Sequence, residues 1–199
     1  MNILVIVAHP DENSFNHAIA KQAIETLKDN GHEVVSRDLY KEDFDPRLPG
    51  GEIPRDANLP DDIAQHCKEM TEADGIIVVH PNWWGMPPAL LKGWIDRVIR
   101  PDVAYKFIEG DSGEGVPVGL LKADKALVFN TSNTTIEREQ AIFGDPLERI
   151  WKDCIFDLCG VKEFYRRMFG VVVTSTLDER QKWLEEVDVK VRDFFPSGS

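Results

Sequence analysis

The chain has 199 residues, of which 42% are hydrophobic and 29% are charged, and its formal net charge is -12 at pH 7. This length suits one domain with a sizeable core. The acidic excess argues against a nucleic-acid partner, because no basic surplus is present to neutralise phosphates. No apolar run approaches the roughly 20 residues of a membrane-spanning helix, and no basic segment of a signal peptide precedes the first predicted strand. We therefore expect a single domain, residues 1–199, that does not insert into a membrane.

The three cysteines, Cys67, Cys154 and Cys159, have neither a CxxC spacing nor the spacing of metal ligands. Cys154 and Cys159 lie in an apolar segment and are expected to be buried thiols; a redox or catalytic thiol is the minor alternative. Thiols without a disulfide framework indicate the reducing cytoplasm. No two histidines share the helical spacing of metal ligands, so we expect no metal site.

Continuous apolar runs alternate with stretches of helical periodicity along the chain. The predicted elements in chain order are a strand at 3–8, a helix at 14–28, a strand at 33–39, an irregular connection at 41–60, a helix at 61–72, a strand at 75–80, a helix at 88–99, a loop excursion at 100–119, a strand at 126–130, a helix at 145–158, a strand at 164–174 and a helix at 177–195.

This alternation predicts a parallel sheet with helices on both faces. The expected fold class is α/β, a flavodoxin-like three-layer sandwich with a five-stranded parallel sheet in the order 2-1-3-4-5, although spacing alone does not give the strand order. The loops after strands one, three and four then lie along the same carboxyl edge. Open sheets of this kind bind ligands at that edge.

The loop after the first strand is rich in hydrogen-bonding groups and opens a helix. It holds His9, Asn13, Ser14 and Asn16, and it lacks the GxGxxG and GxxxxGK[ST] patterns of common nucleotide loops. Ser14 is the natural helix cap, which is the simpler interpretation of this loop. The alternative is an anion cradle, because a helix start carries unpaired N–H donors and a partial positive charge.

The loop after the third strand carries two adjacent indoles, Trp83 and Trp84. Such rings either cover a flat ligand or plug the end of the sheet. The loop after the fourth strand, residues 130–135, is six small polar residues in a row, which can be a plain turn or can hydrogen-bond the edge of a heterocycle. Together the three loops indicate a site for a planar ring that bears a phosphate.

Several motifs make the chain similar to the NAD(P)H:quinone oxidoreductase family, flavin enzymes with a flavodoxin-like fold that include DT-diaphorase. The resemblance runs from about residue 2 to residue 175. Its residues are Ala8-His9, Ser14-Phe15-Asn16, Asp38-Leu39-Tyr40, Pro81, Trp84, the segment 88–94, Arg97-Val98, Ala104-Tyr105 and Gly144-Asp145.

The resemblance implies an enzyme that passes a hydride from NADH or NADPH through a bound flavin, FMN or FAD, to a quinone or similar small acceptor. It also implies a homodimer. The flavin-binding residues that it implies are His9, Ser14, Phe15 and Asn16 at the phosphate, Pro81, Asn82, Trp83, Trp84 and Gly85 along the isoalloxazine ring, and Thr131, Ser132 and Asn133 on its other side.

Two residues are candidates for the chemistry itself. The resemblance implies that Tyr105, from the neighbouring subunit or from the loop above, caps the substrate pocket. Arg138 would balance negative charge on the reduced flavin, or would instead be a surface residue paired with neighbouring glutamates. Lys92 and Trp94 are expected to pair or pack on their helix.

The sequence also departs from the family pattern. Ser132-Asn133 stands where members often carry two glycines. The resemblance implies that the family's Tyr and His, which handle charge on the reduced flavin, fall near Arg138 and at Phe143 here, and Phe143 cannot transfer a proton. Gly85 replaces the usual aromatic residue, which predicts a wider pocket. Two alternatives to an enzyme stay open: a flavin-binding electron carrier, although its T-x-T-G-x-T loop is absent, and a regulatory subunit of a transport system. A hydrolase is disfavoured because no GxSxG motif is present.

Overall fold

The computed structural model describes residues 1–108, 115 and 117–197. The strands are β1 (Asn2–Val7), β2 (Glu33–Asp38), β3 (Gly75–Pro81), β4 (Tyr105–Lys106), β5 (Val118–Gly119), β6 (Lys125–Ser132) and β7 (Glu163–Gly170). Five of them form a parallel sheet in the order β2-β1-β3-β6-β7. With β6 and β7 as the fourth and fifth main strands, the predicted order 2-1-3-4-5 is confirmed.

The helices are α1 (Phe15–Asp29), α2 (Asp61–Glu72), α3 (Ala89–Val98), α4 (Ile136–Arg138), α5 (Pro146–Arg149) and α6 (Leu177–Phe194). Two π-helical segments, Glu139–Phe143 and Ile150–Asp157, follow α4 and α5, so the helix predicted at 145–158 is only briefly an α-helix. The fifth strand ends at Gly170, four residues before its predicted end. Within the predicted excursion at 100–119, β4 and β5 form an antiparallel pair, while residues 109–114 and 116 lie outside the described residues.

The alternation of side chains along β1 divides the core into two layers. Ile3 and Val5 pack in the layer under α1 and α6, whereas Leu4 and Ile6 pack in the layer under α2 and α3. The central strand β3 is buried along its whole length. A parallel sheet covered on both faces requires such continuous apolar strands, and this is why the sequence showed runs rather than alternation.

The connection at 41–60 has little regular secondary structure, but hydrogen bonds from Arg97 attach it to α3. The guanidinium of Arg97 donates to both carboxylate oxygens of Glu52, at 2.9 and 2.6 Å, and to the carbonyl of Asp45 at 2.6 Å. Arg97 and Glu52 are both buried. Gly93 permits the close approach, because a Cβ there would lie 2.2 Å from the carbonyl oxygen of Pro46. Hydrogen bonding at every oxygen offsets the cost of burying this ion pair.

Lys92 and Trp94 behave as predicted on α3. Lys92 pairs with Asp96 one turn later, and the buried indole of Trp94 donates to His66 at 3.2 Å. Both His66 and His32 are buried. The ring of His32 lies 2.9 Å from the carbonyl of Phe195. Polar partners distant in sequence allow both imidazoles to leave water.

The expectation of two buried thiols in the segment 154–159 is half wrong. Cys159 is buried, but Cys154 is exposed. The core-facing side of the Ile150–Asp157 segment carries Trp151, Ile155 and Phe156. Cys154 lies on the opposite side. Over residues 1–108, 115 and 117–197, no helix is both long and apolar enough to cross a membrane, and no cluster of His, Cys, Asp and Glu could hold a metal ion.

His80, near the end of β3, is fully buried. The indole N–H of Trp151 donates to His80 Nε2 at 2.9 Å, so the ring proton is on Nδ1, which lies 2.8 Å from the carbonyl oxygen of Pro81. Burial lowers the pKa of His80 from 6.5 to about 4. The neutral ring therefore anchors the strand end to the helical layer beneath it.

This anchor makes the stability of the protein depend on pH. Between about pH 4 and 6.5 the folded state keeps His80 neutral while the unfolded chain binds a proton, so stability falls as the pH falls through that window. The contribution amounts to about 3 kcal/mol. We expect His80→Gln to remove most of this pH dependence when urea unfolding is measured at pH 7 and pH 4.5. If the wild type and His80→Gln lost the same free energy of unfolding between pH 7 and pH 4.5, the lowered pKa of His80 would be contradicted.

Candidate functional site

A cavity of about 710 Å³ opens where the loops after β1, β3 and β6 meet. All twelve residues predicted to bind the cofactor line it, and so does Arg138. They are His9, Ser14, Phe15, Asn16, Pro81, Asn82, Trp83, Trp84, Gly85, Thr131, Ser132 and Asn133. The parallel sheet explains the convergence, since it brings the carboxyl ends of neighbouring strands to one edge.

One end of the cavity is the start of α1. Ser14 caps this helix, because its hydroxyl oxygen accepts the backbone N–H of His17 at 3.3 Å. Among the described residues, no partner is present for the backbone N–H groups of Phe15 and Asn16. Unpaired donors and the positive end of the helix dipole make this an anion-binding position. The cap and the anion cradle are therefore compatible interpretations of the same loop.

Aromatic packing and burial fix this end of the cavity. The ring of Phe15 contacts Phe169 and Trp183, with centroids 6.2 and 5.7 Å apart, and so holds the helix start against the sheet. Burial also lowers the pKa of His9, which keeps the ring neutral at neutral pH. The Asn16 side chain is buried and donates to the hydroxyl of Thr131 at 3.0 Å.

A tight turn presents the two tryptophans. Trp83 and Met86 exchange backbone hydrogen bonds of 3.1 Å, and between them Trp84 and Gly85 both have positive φ, +59° and +72°. Positive φ at both central residues is the hairpin geometry that favours glycine, and for a bulky residue such as Trp84 it carries strain. The side chain of Asn82 accepts the N–H of Gly85 at 2.9 Å and closes the turn.

The two indoles differ in environment. Trp84 is 98% exposed, whereas Trp83 is 41% exposed and its ring lies 6.2 Å from that of His9. Trp84 therefore forms a wall of the cavity without packing on the rest of the chain, which excludes its being a plug over the sheet. The expected extra room at Gly85 is not present. A Cβ there would lie 2.7 Å from Cγ of Pro146, so Pro146 fills that space.

The end of β6 joins the other loops through its backbone and side chains. The carbonyl of Thr131 accepts the N–H of Asn82 at 2.6 Å. The hydroxyl oxygen of Ser132 accepts the N–H of Thr134 at 3.0 Å, and Oδ1 of Asn133 accepts the N–H of Val173 at 2.9 Å. The NH₂ group of Asn133 has no partner among the described residues, so this loop offers the cavity a donor.

The segment after β6 closes a further side of the cavity, and sequence reasoning missed most of it. Glu139, Phe143, Pro146 and Val172 all line the cavity, and Glu139 is buried. Val172 follows β7, so applying the strand-end rule to the fifth strand would have found that side. No spacing in the sequence distinguishes Glu139, because its burial depends on the π-helical segment that it begins.

The candidate chemical residues are separated in the structure. Arg138 lines the cavity with its guanidinium carbon 5.8 Å from the ring centroid of Phe143, and it forms no ion pair with any described residue. Arg138 is thus an exposed residue of α4, as one of the two interpretations expected, but the expected pairing with glutamates is not found among the described residues. Tyr105 lies on β4 with its ring 5.9 Å from that of Phe107, and it does not line the cavity of its own chain.

Comparison with known proteins agrees with this architecture. A family described as having a flavodoxin-like fold matches residues 1–191. The chain is 36% identical over 174 residues to an uncharacterised NAD(P)H oxidoreductase of Haemophilus influenzae, covering 85% of this chain and 84% of that protein. It is 30% identical over 206 residues to the mouse ribosyldihydronicotinamide dehydrogenase [quinone], covering 92% and 87%.

A solved structure shows the same similarity. The NAD(P)H:quinone oxidoreductase from Methanothermobacter marburgensis superimposes with a TM-score of 0.83 at 26% identity, covering 97% of this chain and 96% of that one. The resemblance predicted from the sequence is confirmed. The chain therefore belongs to this family of proteins with a flavodoxin-like fold, which it matches over residues 1–191.

Proposed function

We propose that this chain is an NAD(P)H oxidoreductase that passes a hydride from NADH or NADPH, through a bound FMN or FAD, to a quinone or similar small acceptor. One observation carries the proposal: a single cavity joins an anion-binding helix start to a wall of exposed indole. The names of the relatives, NAD(P)H oxidoreductase and quinone dehydrogenase, support the same reaction class.

The residues present fit a flavin. A cavity of about 710 Å³ lies within the range of roughly 300–1,000 Å³ for small-molecule sites. The unpaired N–H groups of Phe15 and Asn16 suit a phosphate, while the indole faces of Trp83 and Trp84 suit a flat ring. The NH₂ group of Asn133 supplies a donor for the polar edge of that ring. The cavity therefore offers the apolar, polar and anion-binding surfaces that the ligand requires.

A bound flavin supplies the hydride transfer itself, and the protein supplies binding, orientation and charge. In this proposal Ser14, Phe15 and Asn16 hold the phosphate, and Trp84 keeps water from one face of the ring. Asn133 and Arg138 would stabilise the negative charge that reduction places on the ring, because both donors already line the cavity before the ligand binds. Arg138 is held against Phe143, and both residues line the cavity.

We also propose that the protein is a homodimer, in which Tyr105 of the partner subunit caps the substrate pocket. Exposed apolar side chains beside the cavity support this arrangement: Trp84 is 98%, Ile142 69%, Met86 56% and Phe143 51% exposed. Exposed apolar groups of this size commonly mark an interaction surface. We place the protein in the cytoplasm, consistent with its three free thiols.

The dimer is tested by light scattering on the purified protein. We expect twice the mass of one chain at micromolar concentration, and Tyr105→Phe is expected to dimerise normally but to raise KM for a quinone. A mass of one chain at all concentrations would remove the proposed role of Tyr105.

The cofactor is tested by mass spectrometry of whatever heat releases from the protein. We expect a yellow protein that releases FMN or FAD, and stopped-flow mixing with NADH and with NADPH should bleach the flavin, followed by reoxidation with a quinone. Bleaching only through a separate reductase would indicate an electron carrier instead. A colourless protein that binds neither flavin would refute the proposed function.

The wall of the site is tested by Trp84→Ala. Because the indole is almost fully exposed, its loss should leave the unfolding temperature within about 2 °C while raising the dissociation constant of the flavin about tenfold. The matched control is Met86→Ala, an exposed residue of the same turn that does not line the cavity. Equal flavin affinity in both variants would exclude Trp84 from the binding surface.

A further inference from the structure

A chain of three polar side chains leads from the cavity to a second cavity, which shares the lining residue His9 with the first. Ser14 Oγ lies 3.0 Å from Nδ1 of His17, and Nε2 of His17 lies 2.9 Å from Oδ2 of Asp38. Ser14 lines the first cavity, whereas His17 and Asp38 line the second, which measures about 400 Å³. The imidazole is therefore reachable from solvent even when a ligand fills the first cavity.

The donors and acceptors in this chain can be counted. Asp38 is a carboxylate and accepts only, so Nε2 of His17 carries a proton. If the ring is neutral, Nδ1 has no proton, and the hydroxyl of Ser14 must donate to it. The hydroxyl oxygen meanwhile accepts the backbone N–H of His17. In this state the Ser14 hydroxyl has no hydrogen left to offer a ligand.

A second proton on His17 reverses one bond. Nδ1–H then donates to Ser14 Oγ, and the hydroxyl hydrogen becomes free to donate into the first cavity. A dianionic phosphate at the start of α1 would accept that bond, and hydrogen bonds with a charged partner are the strong ones. The positive ring, between the phosphate and Asp38, would at the same time be flanked by two negative charges.

We propose that His17 and Asp38 are positioning residues: when a phosphate occupies the first cavity, His17 takes up a proton from solvent and frees the Ser14 hydroxyl to bind that phosphate. This inference rests on the proposed function, because the phosphate in question is that of the flavin. It adds that flavin binding is coupled to proton uptake at a group that does not itself touch the ligand.

The surroundings of His17 are compatible with a positive ring. From β2, Asp38 pairs with it directly, and from the loop after β1 the ring of His9 lies 6.4 Å away, edge to face. The other ionisable groups that line the second cavity are Asp11, Glu12, Tyr40 and Lys41. Three carboxylates face one ammonium group there, so an added positive charge is balanced locally.

The first test compares FMN with riboflavin, which lacks the phosphate, by fluorescence titration of the full chain after its flavin has been removed. We expect His17→Gln to raise the dissociation constant of FMN about tenfold and that of riboflavin less than about twofold. Asp38→Asn should act in the same direction on FMN. The matched control is Glu25→Gln, which removes an exposed charge of the same helix that lines neither cavity and should leave both affinities unchanged.

A second variant tests whether His17 acts through Ser14. In a Ser14→Ala background no hydroxyl remains to be freed, so adding His17→Gln should change the FMN dissociation constant less than about threefold. An undiminished tenfold effect in that background would overturn the proposed route through the hydroxyl. Asp38→Asn supplies the same comparison if His17→Gln does not fold.

The third test is the pH profile, which a merely structural role would not change. We expect FMN affinity of the wild type to fall as the pH rises from 7 to 9, where the phosphate stays dianionic, and riboflavin affinity to stay constant. His17→Gln should remove the slope for FMN. A flat FMN profile in the wild type, or equal effects on FMN and riboflavin, would refute this inference alone. Failure of the wild type to bind FMN, FAD and riboflavin would refute the proposed function and this inference with it.

Discussion

Thr131, near the carboxyl end of β6, holds the cavity together because it hydrogen-bonds to both of the other principal loops. Its hydroxyl pairs with the buried side chain of Asn16 at the start of α1, and its carbonyl accepts the N–H of Asn82 at the start of the tryptophan turn. The register of the sheet places Thr131 directly beside Pro81. A shift of any one loop would therefore break bonds in the others, so the three surfaces keep a fixed spacing, as a rigid planar ligand requires.

The end of β3 and the wall of the cavity are stabilised by different forces. The strand end depends on deep packing, with His80 fully buried between Trp151 and the carbonyl of Pro81. The wall depends on a backbone turn, in which Trp84 adopts positive φ and remains almost fully exposed. Side chains on such a turn can change without disturbing the core.

Arg166 fixes the position of the segment after β6 that lines the cavity with Glu139, Phe143 and Pro146. Its side chain is almost entirely buried, and its guanidinium donates to both carboxylate oxygens of Asp145, which itself has positive φ. This bond fixes the chain just before Pro146, and Pro146 in turn fills the space beside Gly85. The tryptophan turn is thus restrained from outside as well as by its own hydrogen bonds. The end of the cavity at the start of α1 differs, since Ser14 connects through His17 and Asp38 to the second cavity.

The sequence by itself determined the sheet and most of the site. Continuous apolar strands alternating with helices require a parallel sheet, and such a sheet aligns the strand ends, so His9, Trp84 and Asn133 could be assigned to one cavity before any coordinates. Burial of individual polar residues was not determined, because it depends on partners far away in the chain. The buried ring of His66 accepts a hydrogen bond from Trp94. The buried ring of His32 hydrogen-bonds to the carbonyl of Phe195, 163 residues away. Glu139 and Cys154 illustrate the same limit: local periodicity assumes an α-helix, whereas π-helical turns change which side chains face the core.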